Sequence, residues 1–192
     1  RRICWRVSAT NNRGQTTIKQ SGTDALDRPT LVRQTSELGN LDTTTQYLAG
    51  FKTRVTLPKH QGASPAVFTE TTYQAWDQPN TELPRTIAQP EGVLTTIARD
   101  VFGKPTAITR SGGGLSLTRR YVYRPDWHTL CKVIEPETGA TVMDYDDAGN
   151  LGWSASGLDL PSTTSCTLGE AWDSGRRVTR SYDQRNRLKT LR

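Results

Sequence analysis

The sequence predicts an all-β fold built from tandem antiparallel β-hairpins, and three observations predict it. A four-residue turn signature that opens on Asp and closes on Gly, Asn or Asp returns five times. A second signature, Pro followed after a short spacer by Gly, alternates with the first. Between the two, side chains alternate with a period of two, and no twelve-residue stretch carries the three-to-four spacing of an amphipathic helix.

Composition agrees. Only 33% of the 192 residues are apolar, yet five Trp, six Tyr and three Phe recur along the chain. That is too little apolar mass for one thick core and too much aromatic content for disorder, and it suits a thin, extended sheet. Because internal repeats decide the architecture, the signatures are best followed in chain order.

The first turn is Asp24-Ala25-Leu26-Asp27, followed by Arg28-Pro29-Thr30. A weaker unit lies near Tyr47-Leu48-Ala49-Gly50-Phe51, and Pro58-Lys59-His60-Gln61-Gly62 marks the opposite end of a hairpin. Asp77-Gln78-Pro79-Asn80 follows Trp76, with Pro84 expected to disturb the strand after it; Pro90-Glu91-Gly92 comes next. Asp100-Val101-Phe102-Gly103 leads into Lys104-Pro105-Thr106, with Arg99 ahead of the aspartate, and Ser111-Gly112-Gly113 reads as the return turn. Leu115, Leu117, Tyr121 and Tyr123 then share one strand face, interrupted by Arg119, before a degenerate unit at Tyr123-Arg124-Pro125-Asp126-Trp127. Pro136-Glu137-Thr138-Gly139 precedes the alternation of Thr141, Met143 and Tyr145 against Val142 and Asp144. Tyr145-Asp146-Asp147-Ala148-Gly149-Asn150-Leu151 and Tyr182-Asp183-Gln184-Arg185-Asn186-Arg187-Leu188 are the clearest copies. The best repeats span 69–157 and 176–192; the Ser-, Thr- and Gly-rich insertion at about 158–171 reads as a protruding loop within a single repeat segment, 1–192.

The turn positions follow from backbone chemistry. An Asp opening a type I turn accepts hydrogen bonds from the N–H groups inside it. The closing residue needs positive φ to bring the chain back, which Gly adopts freely and Asn or Asp tolerate best among the rest. A type I turn followed by a left-handed residue is a common hairpin loop. The turn aspartates stand 53, 23, 46 and 37 positions apart, a unit of 23 with degenerate copies hidden in the longer gaps and the insertion in the last. The expected structural positions are therefore Asp24, Asp27, Asp77, Asn80, Asp100, Gly103, Tyr145, Asp146, Gly149, Tyr182, Asp183 and Asn186.

Other chemistry is poorly supported. A serine triad needs a histidine base; His60 sits in a turn, His128 in a degenerate unit, and Gly152-Trp153-Ser154-Ala155-Ser156 misses the nucleophile elbow. His128 and Cys131 lack a second close pair for zinc, and Asp144, Asp146 and Asp147 lack the later glutamate of a calcium loop. Gly112-Gly113-Gly114 leads into a strand and not into a phosphate-binding helix. No catalytic residue, metal or cofactor is expected. The net charge of +6 is scattered among 19 acidic residues, without the clustered stripe of a nucleic-acid site. No apolar run is long enough for a membrane span, and the first residues do not form a signal peptide. Cys4, Cys131 and Cys166 fit no disulfide scaffold and read as separate thiols, with Cys166 in the loop the more reactive. The tryptophans read as core.

Tyr145–Leu151 and Tyr182–Leu188 resemble the YD repeat of RHS proteins: tyrosine, aspartate, two variable residues, glycine, arginine, leucine, then a β-branched pair and a proline–glycine turn. Weaker similarity runs from about Thr23 to Arg192; Asn186 stands where the family has glycine, and Arg99 where it has tyrosine. The resemblance implies bacterial RHS or toxin-complex proteins, whose repeats wind a curved ribbon into a hollow β-shell around a toxic C-terminal domain until delivery. It implies as partners the rest of the parent shell, the enclosed toxin and a secretion-system spike or adaptor, with secretion or delivery at the cell surface. The family's self-cleavage region carries aspartate–proline motifs, and no Asp-Pro occurs here, so no catalytic residue is carried over. The alternative is an extracellular adhesion or carbohydrate-binding repeat module. On either reading the chain is an internal segment of a longer protein, and its end strands are expected to associate or to require flanking sequence.

Overall fold

The computed structural model describes residues 2–10, 16–36, 39–75 and 81–192. Among them the fold is antiparallel β with two short helical turns. The strands are β1 (Arg2–Thr10), β2 (Thr16–Thr23), β3 (Pro29–Ser36), β4 (Gly39–Leu48), β5 (Lys52–Thr56), β6 (Thr69–Tyr73), β7 (Pro84–Ala88) and β8 (Leu94–Arg99). They continue as β9 (Pro105–Gly112), β10 (Leu115–Tyr123), β11 (Leu130–Glu135), β12 (Gly139–Tyr145), β13 (Leu151–Leu158), β14 (Arg177–Tyr182) and β15 (Leu188–Leu191). A 3-10 turn occupies Pro58–His60, and one six-residue helix, α1, covers Leu168–Asp173. Sheet order is chain order. The chain divides into two compact units, Arg1–Thr95 and Thr96–Arg192.

The first unit is held largely by polar ladders. Arg33 faces Asp42 across β3 and β4 with bonds of 2.7 and 2.6 Å, and Arg54 reaches Glu70 across β5 and β6 at 2.7 Å. Thr35 and Asn40 pair in the same way at 2.7 Å. Such directly opposed side chains contribute roughly 0.2–1 kcal/mol each. Its buried residues among those described are Ser21, Gly22, Thr23 and Thr53, all small.

The second unit has an apolar core on one sheet face. Val122, Lys132, Val142 and Ala155 stand side by side across β10 to β13, at 6%, 0%, 0% and 1% exposure. Of these, Val142 and Ala155 form a cluster with Ala140, Leu158 and Ala171, and Ile134, Trp153, Leu160 and Leu168 pack around it. The covered face of β10 is therefore the one carrying Val122. Leu115 and Leu117, expected on the apolar side, are 76% and 49% exposed, because what covers this sheet comes from the insertion and lies on the other side.

That insertion is not a protruding loop. Residues 159–176 run back over β11 to β13 as a strap. Ala171 of α1 is fully buried, and Trp172 packs edge-on against Trp153 at 5.3 Å between ring centres. Small side chains at Ala140, Ala155 and Ala171 let the helix approach the strands closely, so the core is made by methyl groups more than by rings. Trp127 and Trp172 remain 55% and 40% exposed.

The cysteine expectation is overturned as well. Cys131 and Cys166 form a disulfide, Cα–Cα 5.5 Å, across a sequence separation of 35. The distance in sequence hid the pairing, because only the fold-back of the strap brings Cys166 over β11. Alkylation without reductant should modify one cysteine per chain at most, Cys4, and three after unfolding in reductant. Two alkylated sites in the native unreduced chain would contradict the bridge.

Candidate functional site

The candidate site is the repeat turn, because this is where the sequence pattern concentrates. Four copies have the same geometry. The Asp24 Oδ1 accepts from the N–H groups of Leu26 and Arg28 at 2.9 and 3.0 Å. Asp100 accepts from Phe102 and Lys104 at 2.9 Å each, and Asp146 from Ala148 and Asn150 at 3.0 and 2.8 Å. Asp183 accepts from Arg185 and Arg187 at 2.9 and 3.0 Å. In each, the aspartate N–H donates to the carbonyl four residues on, and the fourth residue donates back to the aspartate carbonyl. That fourth residue has positive φ throughout: Asp27 57°, Gly103 78°, Gly149 81° and Asn186 57°.

Asp77 and Asn80 lie outside the described residues. The connection that contains them opens three residues before Asp77, where the Gln74 N–H donates to the Leu83 carbonyl at 2.9 Å. Pro84 does not disturb the following strand. It is the first residue of β7 and pairs with Tyr73, as Pro29 does with Thr23 at the start of β3. A proline at this place lacks no ladder donor that the sheet requires. The degenerate units are turns too, at Ala49-Gly50-Phe51 between β4 and β5 and at 124–129 between β10 and β11. The return turn expected at Ser111-Gly112-Gly113 sits one residue later: Gly112 pairs with Leu115, and Gly113 and Gly114 form the loop with φ of 59° and 81°. Two successive positive-φ residues define the tight hairpin turn that matches strand twist.

Two further regularities escaped the sequence pattern. Beside the repeat turns, register slips by one residue: Thr23 pairs with Pro29 while Gly22 pairs with Leu31, and Tyr123 pairs with Leu130 while Val122 pairs with Lys132. The same slip occurs at Tyr73, Tyr145 and Tyr182. Each leaves one extra residue on the outgoing strand, namely Thr30, Arg85, Cys131, Gly152 or Lys189. A β-bulge re-aims the side chain that it carries. Thr30 uses it to donate to the Gly22 carbonyl at 3.2 Å; Cys131 uses it to reach the strap.

The second regularity links one repeat to the next. The Tyr47 hydroxyl donates to the Pro29 carbonyl, 18 positions back, at 3.1 Å, and the Tyr123 hydroxyl to the Pro105 carbonyl, also 18 back, at 2.9 Å. The Tyr182 hydroxyl donates to the Leu151 carbonyl at 3.1 Å, 31 back, because the strap intervenes. Every acceptor is the second residue after the preceding turn closes. At these three places the repeat tyrosine ties its own turn to its predecessor's outgoing strand; the Tyr73 hydroxyl instead meets Thr53 Oγ1 at 3.2 Å.

Electrostatics at the turns has a consequence in acid. The Asp24 carboxyl is held below the ordinary carboxylate range chiefly by the Arg28 guanidinium, Asp146 by the Asn150 amide, and Asp183 by the Arg187 backbone N–H. Unfolded aspartates protonate near pH ~3.9. Because the native values lie lower, the stabilisation is complete above that pH and is lost as pH falls through the native values. The melting temperature is expected to drop below about pH 4, and Asp24→Asn, Asp146→Asn and Asp183→Asn combined should flatten that drop. An unchanged acid limb would remove the charge-assisted turn as its cause.

His60 ends the 3-10 turn, and the His128 ring lies 4.2 Å from that of Phe102 with its backbone at φ 50°. Among the described residues, no three His, Cys, Asp or Glu side chains are grouped to hold a metal, and no helix is long and apolar enough to cross a membrane. Asp144, considered for calcium, instead receives Arg124 at 2.6 Å. A cleft of about 1100 Å³ lies in the first unit between the Asp24 turn and β4; Arg28 there stacks 4.2 Å from the Tyr47 ring centre.

No family model and no curated protein matches the chain. Solved toxin-complex structures do. The crystal structure of TcdB2-TccC3-Cdc42 matches at 12% identity and a TM-score of 0.32, over 97% of this chain and 13% of that one. TcdB2-TccC3 without its hypervariable C-terminal region matches at 13% identity and 0.32, with the same coverage of 97% and 13%. A Tc holotoxin pore from Photorhabdus luminescens gives 14% and 0.32, over 97% of this chain and 12% of that one. The chain therefore spans only a small part of the proteins it matches.

Proposed function

We propose that this chain is a stretch of shell wall in an RHS-type toxin, enclosing and helping to deliver a C-terminal toxin domain of a longer bacterial polypeptide. Its role is structural and not enzymatic. The observation that carries this reading is the tyrosine tie, repeated at a fixed step of 18 residues in two places and in lengthened form at a third. A bond from one repeat to the one before it, made at three places along the chain, fixes the pitch of a growing ribbon, which a wall needs and a compact binding module does not. Large apolar residues stand on the turn tips, with Leu26 72%, Val101 93% and Phe102 62% exposed, and supply contact surface for the rest of the wall. Secretion or delivery to the cell surface, through a spike or adaptor, belongs to the same proposal.

The test is to express the longer polypeptide with an unrelated protease-sensitive reporter in place of its C-terminal domain. The reporter should survive protease until the repeats are unfolded, and become sensitive when Tyr47, Tyr123 and Tyr182 are all replaced by Ala. Cleavage of the reporter at the same rate with intact and unfolded repeats would refute enclosure.

A further inference from the structure

We propose that the Cys131–Cys166 disulfide is a redox clasp: closed, it seals the strap of residues 159–176 onto the sheet, and a thiol reductant opens it without unfolding the hairpins beneath. The proposal does not rest on the shell reading.

Three features carry it. The first is how the strap is attached. Two consecutive residues of β11 hold it, since the bulge lets both Cys131 and Lys132 reach the same segment. Cys131 is bonded to Cys166, while the Lys132 ammonium donates to the carbonyls of Ser162 and Ser165 at 3.0 and 3.5 Å and to Thr167 Oγ1 at 3.1 Å. The strands below are paired through their own backbones, Val122 with Lys132 and Lys132 with Val142, and take no ladder bond from the strap. Opening the strap therefore costs no ladder hydrogen bond.

The second is the opposing pull at Lys132. Its side chain is fully buried, its three acceptors are neutral oxygens, and the Glu170 carboxylate of the strap acts on it only through space. A cation denied water and given no counter-charge in contact favours any state that rehydrates it. Lifting the strap does so. The covalent bond opposes that pull, and so does the packing of Ala171 and Trp172 on the sheet.

The third is access. Cys131 is fully buried, but Cys166 is only half-buried and lines an open cleft of about 620 Å³ with Tyr123, Arg124, Pro125 and Asp126. A thiolate can approach at Cys166 and not at Cys131. With a dithiol as reductant, its thiolate attacks Cys166 Sγ; a reagent–Cys166 bond forms, the Cys131–Cys166 bond breaks, and Cys131 leaves as a thiolate that takes a proton from water. The second thiolate of the reagent then attacks the reagent sulfur joined to Cys166, and Cys166 leaves and is protonated in turn. Two electrons pass to the protein, and the dithiol departs as a cyclic disulfide.

The experiment is hydrogen exchange of the 192-residue chain before and after dithiothreitol, with reduction verified by mass. Amides of residues 162–173 should exchange about a hundredfold faster, the scale on which a cross-link of this length restrains a segment. Those of β10 to β13 should keep their protection. In parallel, an amine-acetylating ester should modify Lys132 only in the reduced chain, and reoxidation should restore both readings. A Cys131→Ser/Cys166→Ser chain should behave as the reduced protein; if it fails to fold, the reduced and alkylated native chain gives the same measurement. Two results would overturn the clasp. A strap still protected after reduction would be held by packing alone. Simultaneous loss of protection in β10 to β13 would make the disulfide a staple of the whole unit.

Discussion

Gly139→Ala is expected to destabilise the second unit by about 2–4 kcal/mol, the sum of two separate costs. Gly139 sits at φ 78°, where any side chain is strained by roughly 1–2 kcal/mol. A Cβ built there would also lie 2.6 Å from the Leu158 carbonyl oxygen, which is backbone and cannot swing aside. Gly149→Ala separates the two costs. Gly149 has φ 81° with nothing within 4 Å of its Cβ position, so only the backbone strain applies, on the order of 1 kcal/mol. Urea midpoints followed by tryptophan fluorescence should fall for both and markedly further for Gly139. Equal shifts would mean that the β12–β13 crossing is looser than described.

Leu158→Ala is the second large effect, at about 2–4 kcal/mol for a buried leucine truncated where the surroundings cannot collapse. Leu158 is 7% exposed in a cluster whose other members are Val142 and three alanines, so little side-chain mass is available to refill the space. Leu188→Ala is the control. Leu188 occupies the leucine slot of the repeat but is 56% exposed, and surface changes of this kind usually stay within about 0.5 kcal/mol. Matching losses at the two sites would place the core somewhere other than beneath the strap.

The contrast between these leucines bears on what the sequence could reveal. Turn chemistry is local, so Asp100 with Gly103, or Asp183 with Asn186, can be read from four consecutive residues, and the strands follow from the alternation between turns. Burial is not local. The leucines of β10 and the leucine after each turn alternate correctly, yet nothing near them says which face another segment will cover. Leu158 lies at the border of a Ser- and Thr-rich stretch whose composition indicates a loop, and only the return of Leu168 and Ala171 to the sheet makes it core. The bulges stayed hidden for a related reason. One surplus residue shifts the face of everything beyond it, and that shift gives Cys131 a partner and seals Lys132. The tyrosine tie joins residues 18 apart, but the donor is a side chain and the acceptor a main-chain carbonyl, which any residue supplies. Pro29, Pro105 and Leu151 occupy the same slot after a turn, but nothing in a proline or leucine side chain marks its carbonyl as the acceptor.

Across the strap, Trp153 still pairs with Thr179, Ser154 with Val178 and Ala155 with Arg177, as though nothing separated β13 from β14. The Tyr182 tie is likewise made to its proper acceptor, Leu151. Because the cost of closing a connection grows only slowly with its length, this junction is indifferent to how much chain passes through it. It is a permissive address: a lineage, or an experimenter, can graft new sequence between β13 and β14 while the ladder on either side keeps its phase. Novelty in such a protein can therefore accumulate at a hairpin end without any renegotiation of the repeats.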